Sequence, residues 1–409
     1  MFENYTFADF AGDEETFFSE YFNKKPLLRK NAFKGDPRDI LSFQKVDDLL
    51  NLEAFRPPYI RITQGPRAVS QTDYTRNTVV QRIAVPDVIV PERVYELFRS
   101  GATVALGTLN NVIPPLRQLT RIFTEKFAAQ TDISAFMTPA GRRGRAPHHD
   151  APDVFVVQLE GTKRWTLWEP PAERTTRRRI YDTIEELGEP TMDVLLEPGD
   201  ILYLPFNTPH AAEAKDQMSL HVVFTIRPRL WEDLLKATVG EVLDDTAFSG
   251  FPYLAAPGTG APVGELKEML SLLQDKLSAL DPQAEIDRLV RTGRAGVEGS
   301  SASRALQRLA GIDGLRPDTE LVRTAAAVRY DAEAGAPDGG AEPALTRVTV
   351  EDRTLSIPSV TAESLRRLGP GEVTTPAGLS PALPEAEATE RAQLLARMGA
   401  LELAADRDL

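Results

Sequence analysis

Only four histidines occur in 409 residues. Two of them, His148 and His149, stand side by side, with Asp150 next. Side chains along an extended strand alternate between faces, so His148 and Asp150 point one way and His149 the other. A histidine and a carboxylate on one face, joined by a second histidine from elsewhere, form the facial triad that holds non-haem Fe(II) and leaves coordination positions open. His210 is the candidate third ligand. His149 reads as a structural hydrogen-bonding residue. His221 shares a face with Ser219, opposite Leu220, Val222, Phe224 and Ile226, which makes it a lining or packing residue rather than a fourth ligand. Lys163 follows the turn Glu160-Gly161 and shares a face with Trp165 and Leu167. A lysine among apolar side chains costs free energy unless an anion meets it.

These residues need a rigid frame. The block 134–226 reads as short strands at 135–138, 154–159, 163–168, 194–196, 201–204 and 219–226. At Glu197-Pro198-Gly199-Asp200, proline fixes φ and glycine supplies a positive one, as a tight turn requires. Short strands with such turns predict a sandwich or jelly roll, the class that includes cupins. Upstream, Phe18, Tyr21 and Phe22 fall on one helical face, and Leu116, Leu119, Ile122, Phe123 and Phe127 on another. Downstream, 230–325 turns helical. Leu266, Met269, Leu270, Leu273, Leu277 and Leu280 make a near-heptad seam, either internal core or a homodimer interface. Leu306 and Leu309 continue the helical pattern. Residues 331–343, rich in Ala, Gly, Pro, Asp and Glu, read as a solvated linker. A strand over 346–357, helices over 362–368 and 386–398 and a terminal strand then suit a winged-helix-like module.

Composition excludes several chemistries. There is no cysteine, hence no disulfide, Fe–S cluster or thiolate zinc site. A net charge of -13 argues against non-specific nucleic-acid binding, although Arg142-Arg143-Gly144-Arg145 is locally basic. No apolar run approaches membrane-spanning length, and the N-terminus lacks the features of a secretion signal. The expectation is a cytoplasmic protein with no membrane partner.

A longer ordered pattern encloses these residues. It comprises His148-His149-Asp150, Asp153-Val154-Phe155, and Gln158-Leu159-Glu160-Gly161-Thr162-Lys163-Arg164-Trp165. Pro198-Gly199-Asp200-Ile201-Leu202-Tyr203-Leu204-Pro205 follows, then His210, then Ser219-Leu220-His221. Over residues 15 to 230 the chain resembles the JmjC-type cupins, in particular the ribosomal-oxygenase group of 2-oxoglutarate-dependent hydroxylases. The resemblance implies Fe(II) on His148, Asp150 and His210. It implies 2-oxoglutarate anchored by Lys163, with Ser134, Ser219 and His221 about it. It implies an α+β chain: a double-stranded β-helix catalytic domain over 1–228, a helical dimerisation domain over 229–330, a linker over 331–345 and a winged-helix-like domain over 346–409. The expected assembly is a homodimer, and the expected substrate a side chain of a peptide or protein, either a ribosomal protein or a natural-product precursor. Loops 64–78 and 139–147 would set specificity. The chain departs from the group at Ser134 and Phe136, where Asn and Tyr are frequent. The alternatives are a JmjC-type demethylase, whose second ligand is more often Glu than Asp, and a non-catalytic cupin and winged-helix binding module, against which the complete ligand set stands.

Overall fold

A computed structural model describes residues 2, 4–181, 183–252, 263–298, 310–324, 326, 328–332, 344–350 and 353–404. The chain divides into two compact units, Met1–Ser301 and Ala302–Leu409.

Two antiparallel sheets dominate the first unit. The larger has eight strands in the order Leu27–Arg29, Ile201–Leu204, Asp153–Glu160, Ser219–Arg227, Gln130–Thr138, Thr103–Leu106, Ile60–Gln64 and Arg67–Ala68. The smaller has five: Arg179–Ile180, His148–His149, His210–Ala214, Lys163–Leu167 and Met192–Leu196. Alternation along Asp153–Glu160 explains how the larger sheet holds two cores at once. Val154 and Val156 join Trp165, Leu167, Leu196, Leu202 and Leu204 in an apolar cluster shared with the smaller sheet. Phe155, Val157 and Leu159 belong to a second cluster on the opposite face. There the helix Leu116–Phe127 lays down Leu116, Leu119 and Phe123, and the Phe123 ring lies 5.2 Å from Phe155 and 5.0 Å from Phe224.

Gly161 makes the tight turn before Lys163. Its φ is 65°, and a Cβ there would stand 2.0 Å from the Met218 carbonyl oxygen. Only glycine fits such a close approach.

The N-terminal aromatics are phased differently from the simple helical spacing. Phe17–Tyr21 is a π-helical turn, and its extra residue per turn rotates the sequence about the axis. Phe17, not Phe18, is therefore the buried ring, packed on Phe7, Phe155 and Tyr203.

Three helices follow the sheets: Trp231–Leu243, Val263–Ser278 and Pro282–Glu298. Neither of the first two buries a side chain. The second unit begins earlier than the sequence pattern suggested. Leu321–Arg323 pairs with Leu401–Leu403 and Val373–Thr374, and Val328–Ala332 pairs with Leu345–Val350. A boundary at 330/331 thus cuts a hairpin, because β-branched and aromatic residues at 322, 328 and 330 favour strand over helix. The expected strand 346–357 is itself two, Leu345–Val350 and Arg353–Pro358. Asp331 and Ala332 of the expected linker are paired; 333–343 lie outside the described residues, as do Leu306 and Leu309. The helices Ser359–Arg367, Pro376–Leu379 and Glu385–Met398 complete the unit.

Candidate active site

Sheet register brings the histidines together. His148 lies directly opposite His210, and their ring centroids are 4.4 Å apart. Each Nδ1 meets a backbone carbonyl, that of Ala146 at 2.8 Å for His148 and that of Thr208 at 2.9 Å for His210. A carbonyl only accepts, so each Nδ1 carries the proton and each Nε2 is left with a lone pair. Both Nε2 atoms face Asp150 Oδ2, at 3.6 and 4.0 Å. One ligand atom from each of His148, Asp150 and His210 lies within 4.8 Å of the other two. Burial lowers His210 to about 4, with help from the neighbouring His148, so the ring stays neutral near pH 7. Burial alone would raise the Asp150 carboxyl. The contact with His148 and the charges of His210 and Arg178 outweigh that and hold it well below the usual carboxylate range. Arg178 Nε forms an ion pair with Asp150 Oδ1 at 3.2 Å.

Asn207 fixes the loop that carries the carboxylate. Its φ of 62° lies in the left-handed region that Asn tolerates. Its backbone N–H donates to the Asp150 carbonyl at 2.9 Å, and its amide donates to the Thr175 carbonyl at 2.8 Å.

Further along the same sheet, Leu167 pairs with His210 and Lys163 with Ala214. Four residues of strand therefore separate the two levels, roughly 13 Å. Lys163 is 2% exposed. Its Nζ donates to Thr138 Oγ1 at 2.8 Å, and among the described residues it has no carboxylate partner. Burial, then the nearby Arg145, lowers this lysine to about 7. His221 is buried, stacks on Phe136 at 5.3 Å and meets Trp165 edge-on at 5.5 Å. His221 Nδ1 and Trp165 Nε1 have no hydrogen-bond partner within the protein. Both side chains line one cavity of about 330 Å³ that also contains His148, Asp150, His210, Lys163 and Ser134. Buried polar atoms left unpaired in a cavity mark a place where a polar ligand completes the bonding.

The sequence comparisons agree with this geometry. Residues 110–234 match the family model of the JmjC domain. This stretch is similar to a JmjC domain. The bifunctional lysine-specific demethylase and histidyl-hydroxylase NO66 of Drosophila mojavensis is 31% identical over 237 residues, covering 56% of this chain and 26% of that protein. Ribosomal oxygenase 1 of Danio rerio is 30% identical over 231 residues, covering 54% of this chain and 40% of that protein. The chain thus spans between a quarter and two fifths of the length of these curated relatives. Among solved structures, YcfD, a ribosomal oxygenase from Escherichia coli in complex with cobalt and 2-oxoglutarate, aligns at 18% identity over 96% of this chain and 98% of that one, with a TM-score of 0.49.

Within this stretch one expected residue sits elsewhere. Ser219 does not line the cavity: its Oγ accepts from Gln158 Nε2 at 2.9 Å. The register of its strand against Gln130–Thr138 is unbroken, so Ser219 keeps the face of His221, but it lies past the residues that line the cavity. Thr138 takes the role at the lysine, and its alternation with Ser134 and Phe136 was a readable signal. Arg145, from the basic run, turns inward over the Phe136 ring at 5.3 Å. Arg178 and Asn207 lie in irregular backbone, where no periodicity points to them. His149 turns away and bonds Tyr181 at 2.8 Å. Asp153 accepts from Tyr203 O–H at 2.6 Å and serves as a buried latch.

Proposed function

We propose that this chain is an Fe(II)- and 2-oxoglutarate-dependent oxygenase that hydroxylates a side chain of a peptide or protein. One observation carries the reading. Two imidazoles with their Nδ1 protons tied to carbonyls, and a carboxylate between them, share a single cavity with a buried lysine that lacks a counter-charge. The donor set fits Fe(II), since His148 and His210 offer Nε2 and Asp150 offers an oxygen, with the remaining positions open. The bound metal would supply dioxygen activation, and the 2-oxo acid the reducing electrons, leaving as succinate and carbon dioxide.

The protein's own groups bind and orient. Ala146 and Thr208 fix the histidine tautomers. Arg178 and Asn207 hold Asp150 in place. Lys163, steered by Thr138, takes the distal carboxylate of the 2-oxo acid, and an anion there offsets the cost of the buried ammonium. Trp165, Val154 and Val156 exclude water from the reacting centre. The names of the relatives, a histidyl-hydroxylase and a ribosomal oxygenase, support a proteinaceous substrate. The test is succinate formation from 2-oxoglutarate by the purified chain with Fe(II), together with its loss in Asp150→Ala. Absence of succinate from the iron-loaded wild type refutes the reading.

The assembly we infer is a homodimer with a second copy of this chain over the helical region. Leu266 is 59% exposed and Leu270 56%, one turn apart on Val263–Ser278, and Trp231 is 70% exposed on the preceding helix. A helix that buries none of its seam leucines calls for a partner. Light scattering should give twice the monomer mass, with L266E/L270E giving the monomer. We read the second unit as winged-helix-like from its hairpin of Leu345–Val350 with Arg353–Pro358 and the helices Ser359–Arg367, Pro376–Leu379 and Glu385–Met398. The location we expect is cytoplasmic; no helix among the described residues is long and apolar enough to cross a membrane.

A further inference from the structure

The charge of the cavity is opposite to that of the chain. The protein carries -13 overall, yet the cavity is lined by Arg61, Arg145, Lys163, Arg178 and Arg227 against a single carboxylate, Asp150. Two of these cations are answered from within. Arg178 pairs with Asp150 at 3.2 Å, and Arg227 with Asp132 at 3.0 Å. Lys163 is assigned above to the 2-oxo acid. Arg145 and Arg61 remain, and among the described residues neither forms an ion pair.

Their position matters as much as their charge. A second cavity of about 300 Å³ adjoins the first, lined by Thr63, Val69 and Tyr74 among others. No acidic residue lines it, and Arg61, Arg145 and Arg178 line both cavities. The arginines therefore stand at the junction of the two cavities, between the second one and the metal ligands. Burial, then Arg178, lowers Arg145 to about 10, so it remains a cation at neutral pH, and its guanidinium carbon lies 5.3 Å from the centre of the Phe136 ring.

We propose that the substrate is an acidic peptide segment, whose Asp or Glu carboxylate is received by Arg145 and Arg61 at the junction of the two cavities. This inference rests on the oxygenase reading. A planar guanidinium meets a carboxylate through paired N–H donors, and like charges brought together disfavour a lysine or arginine substrate at the same point. The arrangement argues against lysine demethylation by this chain.

The experiment is an affinity selection by the full-length protein, loaded with Fe(II) and 2-oxoglutarate under anaerobic conditions so that nothing turns over. The probe is a synthetic peptide library with randomised positions. Asp and Glu should be enriched over Lys and Arg by about tenfold or more. R145Q should lose the preference, and R145E should reverse it. Enrichment of basic residues, or no charge preference in the wild type, overturns the proposal. So does an R145Q protein that keeps its acidic preference while its apparent 2-oxoglutarate requirement rises about tenfold, because Arg145 then holds the co-substrate. A parallel aerobic assay for succinate separates the two layers. No succinate with acidic enrichment defeats the oxygenase reading alone, and succinate with basic enrichment defeats the acidic-substrate inference alone.

Discussion

Two levels of one cavity treat charge differently. At the level of His210, the Asp150 carboxylate is met by two imidazoles and by Arg178. Four strand residues away, Lys163 is met by one neutral hydroxyl. At the first level the carboxylate has its counter-charge, Arg178, within the protein. The second leaves a buried ammonium unanswered, which costs stability until an anion arrives. The difference teaches how such a site divides its tasks: geometry is fixed where the metal must sit, and free energy is held back where a charged ligand must be captured.

Substitutions can break this contrast. The largest effect is expected for Asp150→Ala, which leaves two histidines and no carboxylate. Iron-dependent turnover should fall on the order of 100-fold or more, with a circular-dichroism spectrum like that of the wild type; retained turnover would end the assignment. Lys163→Met should raise the half-saturating 2-oxoglutarate concentration by roughly 10–100-fold, the value of a charge-assisted bond. The same variant sharpens the contrast, because without co-substrate it should unfold later than the wild type, by roughly 1–3 kcal/mol. A drop in its thermal midpoint would mean that the lysine is already satisfied.

Acidity offers a third test. Lys163 titrates near 7 in the free protein, and the anion binds its protonated form. Binding raises the lysine's pKa, so affinity is level below pH 7 and weakens as pH rises through it. Calorimetric titration of 2-oxoglutarate should show a loss of about tenfold per pH unit above 7. A flat profile from pH 6 to about 9 would show that another cation, Arg145 first, carries the distal carboxylate. The smallest effect belongs to Thr138→Val, which removes the hydroxyl that steers Nζ. About a fivefold weaker co-substrate affinity is expected, the value of ~1 kcal/mol.

The metal level was the more legible in the sequence. Alternation pointed to His148 and Asp150 together, although the strand ends at His149 and the loop held by Asn207 brings the carboxylate to the imidazoles; the turn at Gly161 starts a strand at Lys163 as its sequence predicts. Failures came where periodicity is interrupted or says too little. Ser219 shares the face of His221 but lies beyond the cavity lining, against Gln158, because alternation gives the face and not the depth. A π turn moved Phe17 inward in place of Phe18. Arg178 reaches Asp150 from irregular backbone, which has no period to read. Arg145 looked like part of a surface patch because charge alone does not say which way a hairpin folds. The strands at 321–323 and 328–332 were missed because short segments take their state from distant partners such as Leu401–Leu403.

One pairing in the larger sheet bears on how the protein is made. Leu27 lies beside Tyr203, and the aromatic rings just before it, Phe7, Phe10 and Phe17, pack on rings near them in sequence and on the distant Phe123, Phe155, Tyr203 and Phe224. During synthesis at roughly 5–20 residues per second, the N-terminal strand waits some ten to thirty-five seconds for its neighbour to leave the ribosome. Pairings so distant in sequence also close slowly. Through that interval a phenylalanine-rich segment is exposed beside an open strand edge, the kind of surface that chaperones hold and that aggregates in their absence. The yield of folded protein in a cell should therefore follow chaperone supply and translation speed, and slowing the ribosome before residue 203 should lower it.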